Sequence, residues 1–281
     1  MKTLHWVLSS ILLIVSPLLS QENDHTSYKG VKTLTEHRYV LEENFGEIVE
    51  RPYLKKVYNY DLEGNELKNR EFLMTGTELG SLIYKKEYTL DPNRRVIEKR
   101  EFTSPSHISS KTIYTRDSRG NPLTESNFDS DGKLRWKTIS VFDENNNVTE
   151  KSDYDDDGSL KYKTKYQYNS DGFEIGYKEY RREGSVRSVV YKVDLNGNPT
   201  QINFLNPDGS ILKKHHYTYD SNGNILEVLR YYPKDTPIDK TTFRYDKDNW
   251  RIELIKYNII FEFGEIQEKP TRKFRYSYEL Y

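Results

Sequence analysis

The sequence predicts an all-β fold built as an antiparallel repeat array, and three observations carry that prediction. The phrase Tyr217-Thr-Tyr219-Asp220-Ser-Asn-Gly223-Asn224 recurs along the chain, most often at a spacing of 26 residues. A related half-phrase, an aromatic residue followed by a four-residue turn, falls about 13 residues later. Turn signals at that interval leave strands of about eight or nine residues and no room for helices between them.

The template explains itself locally. Tyr217 and Tyr219 stand two apart, so in a strand both face one side. Asp220 suits the first position of a type I turn, and Gly223 takes the left-handed conformation that lets the next strand return.

The units begin at Tyr58, Tyr88, Tyr114, Ser140, Tyr166, Tyr191, Tyr217 and Phe243, in steps of 30, 26, 26, 26, 25, 26 and 26. Asp61, Asp91, Asp117, Asp143, Asp194, Asp220 and Asp246 fill the Asp slot, with Asn169 the one replacement. Gly64, Gly120, Gly172, Gly197 and Gly223 fill the turn slot. Asn146 and Asn249 take it elsewhere, and Asn is the residue after Gly that best tolerates positive φ. Arg94 breaks the rule, so a differently shaped turn is expected after Asp91-Pro92. The structural turn motif is thus expected at Asp61–Gly64, Asp117–Gly120, Asp194–Gly197 and Asp220–Gly223. Half-units end at Gly132, Gly158, Gly184 and Gly209.

The two ends of the array echo each other. Phe45-Gly46-Glu47-Ile48, Pro52, Tyr58 and Tyr60 recur 218 residues later as Phe263-Gly264-Glu265-Ile266, Pro270, Tyr276 and Tyr278. About eight hairpins, or about 17 strands, are therefore expected in one sheet. A ribbon of that many strands at about 4.8 Å spacing must curl. The expectation is a curved or spiralling sheet with its aromatic face inward, and the sequence leaves open how far it closes.

Composition sets the remaining bounds. Residues 1–20 read as a secretory signal peptide, with Lys2 before a mostly apolar run from Leu4 to Leu19 and Ser20 at the cleavage point. Residues 21–31 read as a flexible lead-in, and 32–281 as one repeat domain. The run is short and broken for a membrane span, so no transmembrane anchor is expected after cleavage. The protein is expected to be secreted, periplasmic or on the cell surface. Basic and acidic residues balance at 43 and 44, which offers no footprint for nucleic acid. There are no cysteines, so no disulfide supports the fold. With 24 Tyr and 11 Phe, the chain is too aromatic for disorder.

The phrase Tyr-x-Tyr-Asp-x-x-Gly-Asn, complete at Tyr58–Asn65 and Tyr217–Asn224, resembles the YD repeats of the RHS/YD-repeat family of bacterial secreted and surface proteins. The resemblance covers about Tyr39 to Glu279. It implies a continuous β-sheet that can spiral into a shell around a toxic domain, and extracellular binding, including to carbohydrate. The chain departs from the large members in its few units and in showing no toxin domain after the repeats. The resemblance transfers no catalytic residue.

No catalytic, metal or cofactor site is expected. His215 and His216 are adjacent, so on a strand they point to opposite faces and do not chelate one ion. Asp153-x-Asp155-x-Asp157-Gly158 and Asn127-x-Asp129-x-Asp131-Gly132 mimic the start of a calcium loop but lack the closing Glu, with Thr164 and Thr138 in its place. The binding candidates are the off-template tyrosines Tyr162, Tyr177 and Tyr232, whose flat rings with a polar tip suit wet contacts. Template residues such as Tyr58 and Tyr219 are expected in the core. The function these features predict is a secreted, non-enzymatic scaffold for an extracellular protein or carbohydrate. The alternative is a self-assembling structural module whose sheet edges recruit further sheet.

Overall fold

The computed structural model describes residues 28–281 apart from Pro105, Lys234 and Phe263. The signal-peptide reading, and residues 21–27 of the lead-in, lie outside the described residues. Eighteen strands follow one another. They are β1 (Val31–Asn44), β2 (Glu47–Tyr60), β3 (Glu66–Thr75), β4 (Glu78–Leu90), β5 (Val96–Phe102) and β6 (Ile108–Arg116). Then come β7 (Pro122–Asp129), β8 (Leu134–Phe142), β9 (Val148–Asp155), β10 (Leu160–Tyr168), β11 (Glu174–Arg181) and β12 (Val186–Val193). The last are β13 (Pro199–Leu205), β14 (Ile211–Tyr219), β15 (Ile225–Tyr231), β16 (Pro237–Tyr245), β17 (Arg251–Glu262) and β18 (Glu265–Leu280).

Every strand pairs antiparallel with its neighbours in sequence, and β18 pairs with β1 from Val31↔Leu280 to Val40↔Arg272. The sheet is therefore a closed barrel. This corrects the expectation of a curved or spiralling sheet of about eight hairpins. The reason is physical: an open array of this length carries two unsatisfied edges, and closure pairs both. The echo between Tyr39–Tyr60 and Tyr257–Tyr278 belongs to this seam, since β1, β2, β17 and β18 lie side by side there.

The lead-in is corrected over its last residues. Tyr28 stacks on Tyr60 at 4.8 Å, the Gly30 amide donates to the Leu62 carbonyl at 2.9 Å, and Val31 is fully buried in β1. Residues 28–31 are thus docked at the seam beside Tyr281, whose amide donates to the Gly30 carbonyl.

The motif turns all lie at one end of the barrel, with both described termini. In each, the Asp or Asn closes the turn. The Asp220 amide bonds to the Asn224 carbonyl and the Gly223 amide to the Asp220 carbonyl. The Asp220 carboxylate takes the amides of Asn222 and Asn224 and the Asn224 side-chain amide. Despite partial burial, which pushes the other way, these bonds hold the Asp220 carboxyl below its ordinary range. The turn at Asp91 is a second correction. Arg94 stands at φ 60, and its amide donates to the Asp91 carbonyl at 2.9 Å. The shape is that of the Gly turns, and the Arg94 guanidinium reaches the Asp61 carboxylate of the neighbouring turn at 2.7 Å.

The inward row of aromatics begins directly behind these turns. The second template position donates across to the start of the preceding strand. The hydroxyls of Tyr168, Tyr219 and Tyr245 bond the carbonyls of Val148, Pro199 and Ile225 at 2.8, 2.8 and 3.0 Å. Arg116 does the same work toward the Val96 carbonyl. The apolar core follows the wall as three clusters. One is centred on Tyr166, Tyr177, Val189, Tyr191 and Ile202, one on Val31, Leu34 and Tyr60, and one on Ile225, Phe243 and Leu254.

Candidate functional site

Register assigns each side chain to the lumen or the outer wall. The pairing chain Lys165↔Glu150, Lys165↔Lys178 and Lys178↔Ser188 runs along the outside, as do Asn203↔Lys214, Leu229↔Lys240, Arg244↔Glu253 and Glu253↔Arg275. It returns past the seam through His37↔Lys55, Val57↔Arg70, Arg70↔Lys85 and Glu87↔Arg100. The outer face is thus charged on most strands. Lipid-facing Arg or Lys costs about 2–4 kcal/mol each at the bilayer centre, and a transmembrane barrel needs an outward apolar band. This outer wall is built for water. No helix among the described residues is long and apolar enough to cross a membrane.

The lumen falls into three arcs. From β1 to β6 it is a lattice of opposed charges. Lys56 pairs with Glu71 at 2.5 Å, Lys99 with Glu101 at 3.1 Å, and Arg38 with Glu36. Burial lifts the Glu66 carboxyl above its ordinary range and lowers Lys86. From β6 to β11 small polar groups line the wall. Asn127 donates to the buried Thr112 at 3.0 Å, and Thr138 donates to Asp153. Burial raises the Asp153 carboxyl, with the charges of Glu125 and Glu179 acting in the same direction. From β11 to β18 the wall is aromatic and aliphatic behind the motif turns and basic beyond them. Arg187, Lys213, Arg230, Lys256 and Arg272 share the inward face there with Asp239, which pairs with Arg230, and with Glu179 on β11, which stands opposite Arg187.

The residues singled out from sequence separate. Asp61, Gly64, Asp117, Gly120, Asp194, Gly197, Asp220 and Gly223 all sit in the motif turns. Tyr177 is a correction: at 7% exposure it lies in the core between Tyr166 and Tyr191. Its partners in register, Tyr166 and Val189, belong to the inward row. Tyr162 also faces the lumen, opposite Asp153 and Arg181. It is half-buried, and burial next to Asp153 and Glu179 pushes its hydroxyl up to about 12. Tyr232 is 57% exposed at the end opposite the motif turns. The three tyrosines therefore do not form one surface.

The histidines take opposite faces. His215 lies inside, 4.9 Å from the Phe204 ring. Burial, with Arg230 and Lys213 beside it, brings its pKa down to about 3. His216 lies outside against Tyr231. In the calcium-like stretch Asp155 pairs with Arg182 and Lys161, while Asp157 accepts from Ser159. The stretch is thus spent on turn and strand contacts. The charged lumen was missed by sequence reading. Its signal is the alternation on the strands themselves, as in Lys56-x-Tyr58-x-Tyr60 and Lys213-x-His215-x-Tyr217-x-Tyr219.

No protein-family model matches the chain, and no curated protein matches its sequence. Among solved structures, a porin-like protein from Bacteroides uniformis is similar at 13% identity, TM-score 0.49, over 89% of this chain and 98% of that one. The Tc holotoxin pore of Photorhabdus luminescens is similar at 14% identity, TM-score 0.28, over 86% of this chain and 16% of that one. This chain spans about a sixth of the toxin chain's length. A DUF1329 family protein from Desulfovibrio piger is similar at 11% identity, TM-score 0.23, over 92% of this chain and 88% of that one. Membership of the RHS/YD-repeat family thus stays a resemblance carried by the motif.

Proposed function

We propose that the chain is a non-enzymatic β-barrel scaffold of the cell envelope or exterior that takes a water-soluble partner in its lumen. The leader-like residues 1–20 support the location. The lumen's charge supports the binding role, because an 18-strand barrel is wide enough to hold water, and charged groups such as Lys99 and Glu101 face inward. The partner is an extracellular carbohydrate or a segment of protein. Closure disfavours the self-assembling alternative, since β1 and β18 pair with each other and leave no edge to recruit sheet.

A cysteine-free chain makes the test direct. In Lys99→Cys the thiol should react with a small charged methanethiosulfonate reagent and resist a bulky polymer-linked maleimide. In Lys163→Cys, on the outer wall, both reagents should react. A thiol at position 99 that the small reagent does not reach would end the lumen reading.

A further inference from the structure

The basic arc of the lumen is the least explained feature of the wall. Arg187 on β12, Lys213 on β14, Arg230 on β15 and Arg272 on β18 share the inward face. The lumenal carboxylate Asp239 on β16 is engaged by Arg230, and Glu179 on β11, opposite Arg187 in register, is engaged by Arg181. Among the described residues Arg187, Lys213 and Arg272 make no ion pair. Elsewhere in the lumen Lys56 is matched by Glu71 and Arg181 by Glu179. Burial, with the like charges of Arg230 and Arg187, lowers the pKa of Lys213 against an opposing pull from Asp239. Gathering like charge on one wall costs free energy that a bound anion repays.

Spacing and neighbours narrow the anion. Arg187, Lys213 and Arg230 stand one or two strands apart, about 4.8 to 9.6 Å around the wall, and Arg272 stands three strands beyond Arg230, about 14 Å, which suits a chain carrying anions at intervals better than a single compact ion. Aromatic rings lie among them. Lys213 sits 4.2 Å over the Phe204 ring, Arg272 lies 5.0 Å over Tyr53, and the exposed Tyr232 stands at the same end. Flat ring faces beside cations match a ligand with apolar ring faces and charged substituents.

We infer that the inner wall from β12 to β18 is a binding site for an acidic oligosaccharide, its carboxylate or sulfate groups held by Arg187, Lys213 and Arg272. This inference rests on the lumen reading and adds the ligand's charge.

Calorimetric titration of the full barrel tests it with three probes: an oligogalacturonate, a heparin-derived oligosaccharide and the neutral maltohexaose. At least one acidic probe should bind, more weakly as salt rises, and maltohexaose should not. The double variant Arg187→Gln/Lys213→Met should lose about tenfold in affinity or more, as expected when charge-assisted hydrogen bonds are removed. Circular dichroism checks that its fold is retained. The outer-wall control Lys163→Met/Lys165→Met should bind as the parent does. Preference for one acidic probe identifies carboxylate or sulfate as the group read. Equal binding of maltohexaose, unchanged affinity in the inner double variant, or an equal loss in the outer one overturns the inference. So does tighter binding of a short polyphosphate, which would show that charge alone is read. If no probe binds while the Lys99→Cys thiol remains reachable, the acidic ligand is wrong and the lumen reading stands. An unreachable thiol sinks the lumen reading itself.

Discussion

The two ends of the barrel are made from the same hairpin chemistry and differ in what surrounds it. At the motif end neighbouring turns touch. A Cβ at Gly197 would collide with the Phe173 ring of the next turn, and one at Gly64 would meet the Lys29 amide at 2.7 Å. Asn121 and Asn224 donate to Asn146 and Asn249 across adjacent turns at 2.9 and 3.1 Å. At the opposite end Gly132, Gly158, Gly184 and Gly209 have nothing near the same position. The β1–β2 tip ends in the fully exposed Phe45. At one end turns such as those at Gly64 and Gly197 pack against a neighbour, and at the other the tips meet through exposed ion pairs such as Lys133–Asp156 and Arg182–Asp155.

Substitutions can break this contrast, and the largest effect belongs to Gly197→Ala. It adds a collision with Phe173 to the cost of a left-handed non-glycine residue, and should lose about 3–5 kcal/mol in urea unfolding. Gly209→Ala, in the same conformation with open space around it, should lose only about 1–2 kcal/mol. Equal losses would erase the distinction between the ends. Asp220→Ala removes a side chain that closes its turn with three hydrogen bonds. It should cost about 1–3 kcal/mol by the same measurement. Tyr219→Phe removes one bond, to the Pro199 carbonyl, and should cost about 1 kcal/mol. At the open end Phe45→Ser should change stability by less than about 0.5 kcal/mol.

Acid should reveal two separate responses. His215 is held neutral, with its pKa lowered to about 3 mainly by burial. A base with a depressed folded pKa contributes stability above its unfolded value, near 6.5, that is lost as pH falls toward the folded one. The parent should therefore lose stability between about pH 6.5 and 3, and His215→Leu should show a flatter profile there. The turn aspartates Asp194 and Asp220 have lowered pKa values despite some burial, held by bonds from Asn198 and Asn224. Their contribution is present above about pH 4 and is lost below it. That second fall should persist in His215→Leu.

The sequence made the local half of this architecture legible. Strand lengths, turn positions and the inward template rings follow from side-chain period and turn chemistry over about 13 residues. Closure did not follow, because it rests on Val31 meeting Leu280 and Leu34 meeting Tyr278, pairs separated by most of the chain. Tyr177 was misplaced because its face depends on pairing with Tyr166 rather than on its own neighbours in sequence. Arg94 was expected to reshape its turn, yet a guanidinium contact to Asp61 accompanies a backbone conformation that Arg rarely adopts. The lumenal cations were hidden in plain alternation, since Lys213 and Lys214 look alike until the register sends one inward and the other out.

The seam offers the most direct measurement. Thr35 and Ser277 face each other across β1 and β18, and the chain has no other thiols. In Thr35→Cys/Ser277→Cys a short bifunctional maleimide should join the two cysteines within one molecule, read as a cyclised species by mass after proteolysis. Failure to bridge within the monomer, with both thiols reacting singly or only between molecules, would mean that the two ends of the array do not meet and that no lumen exists.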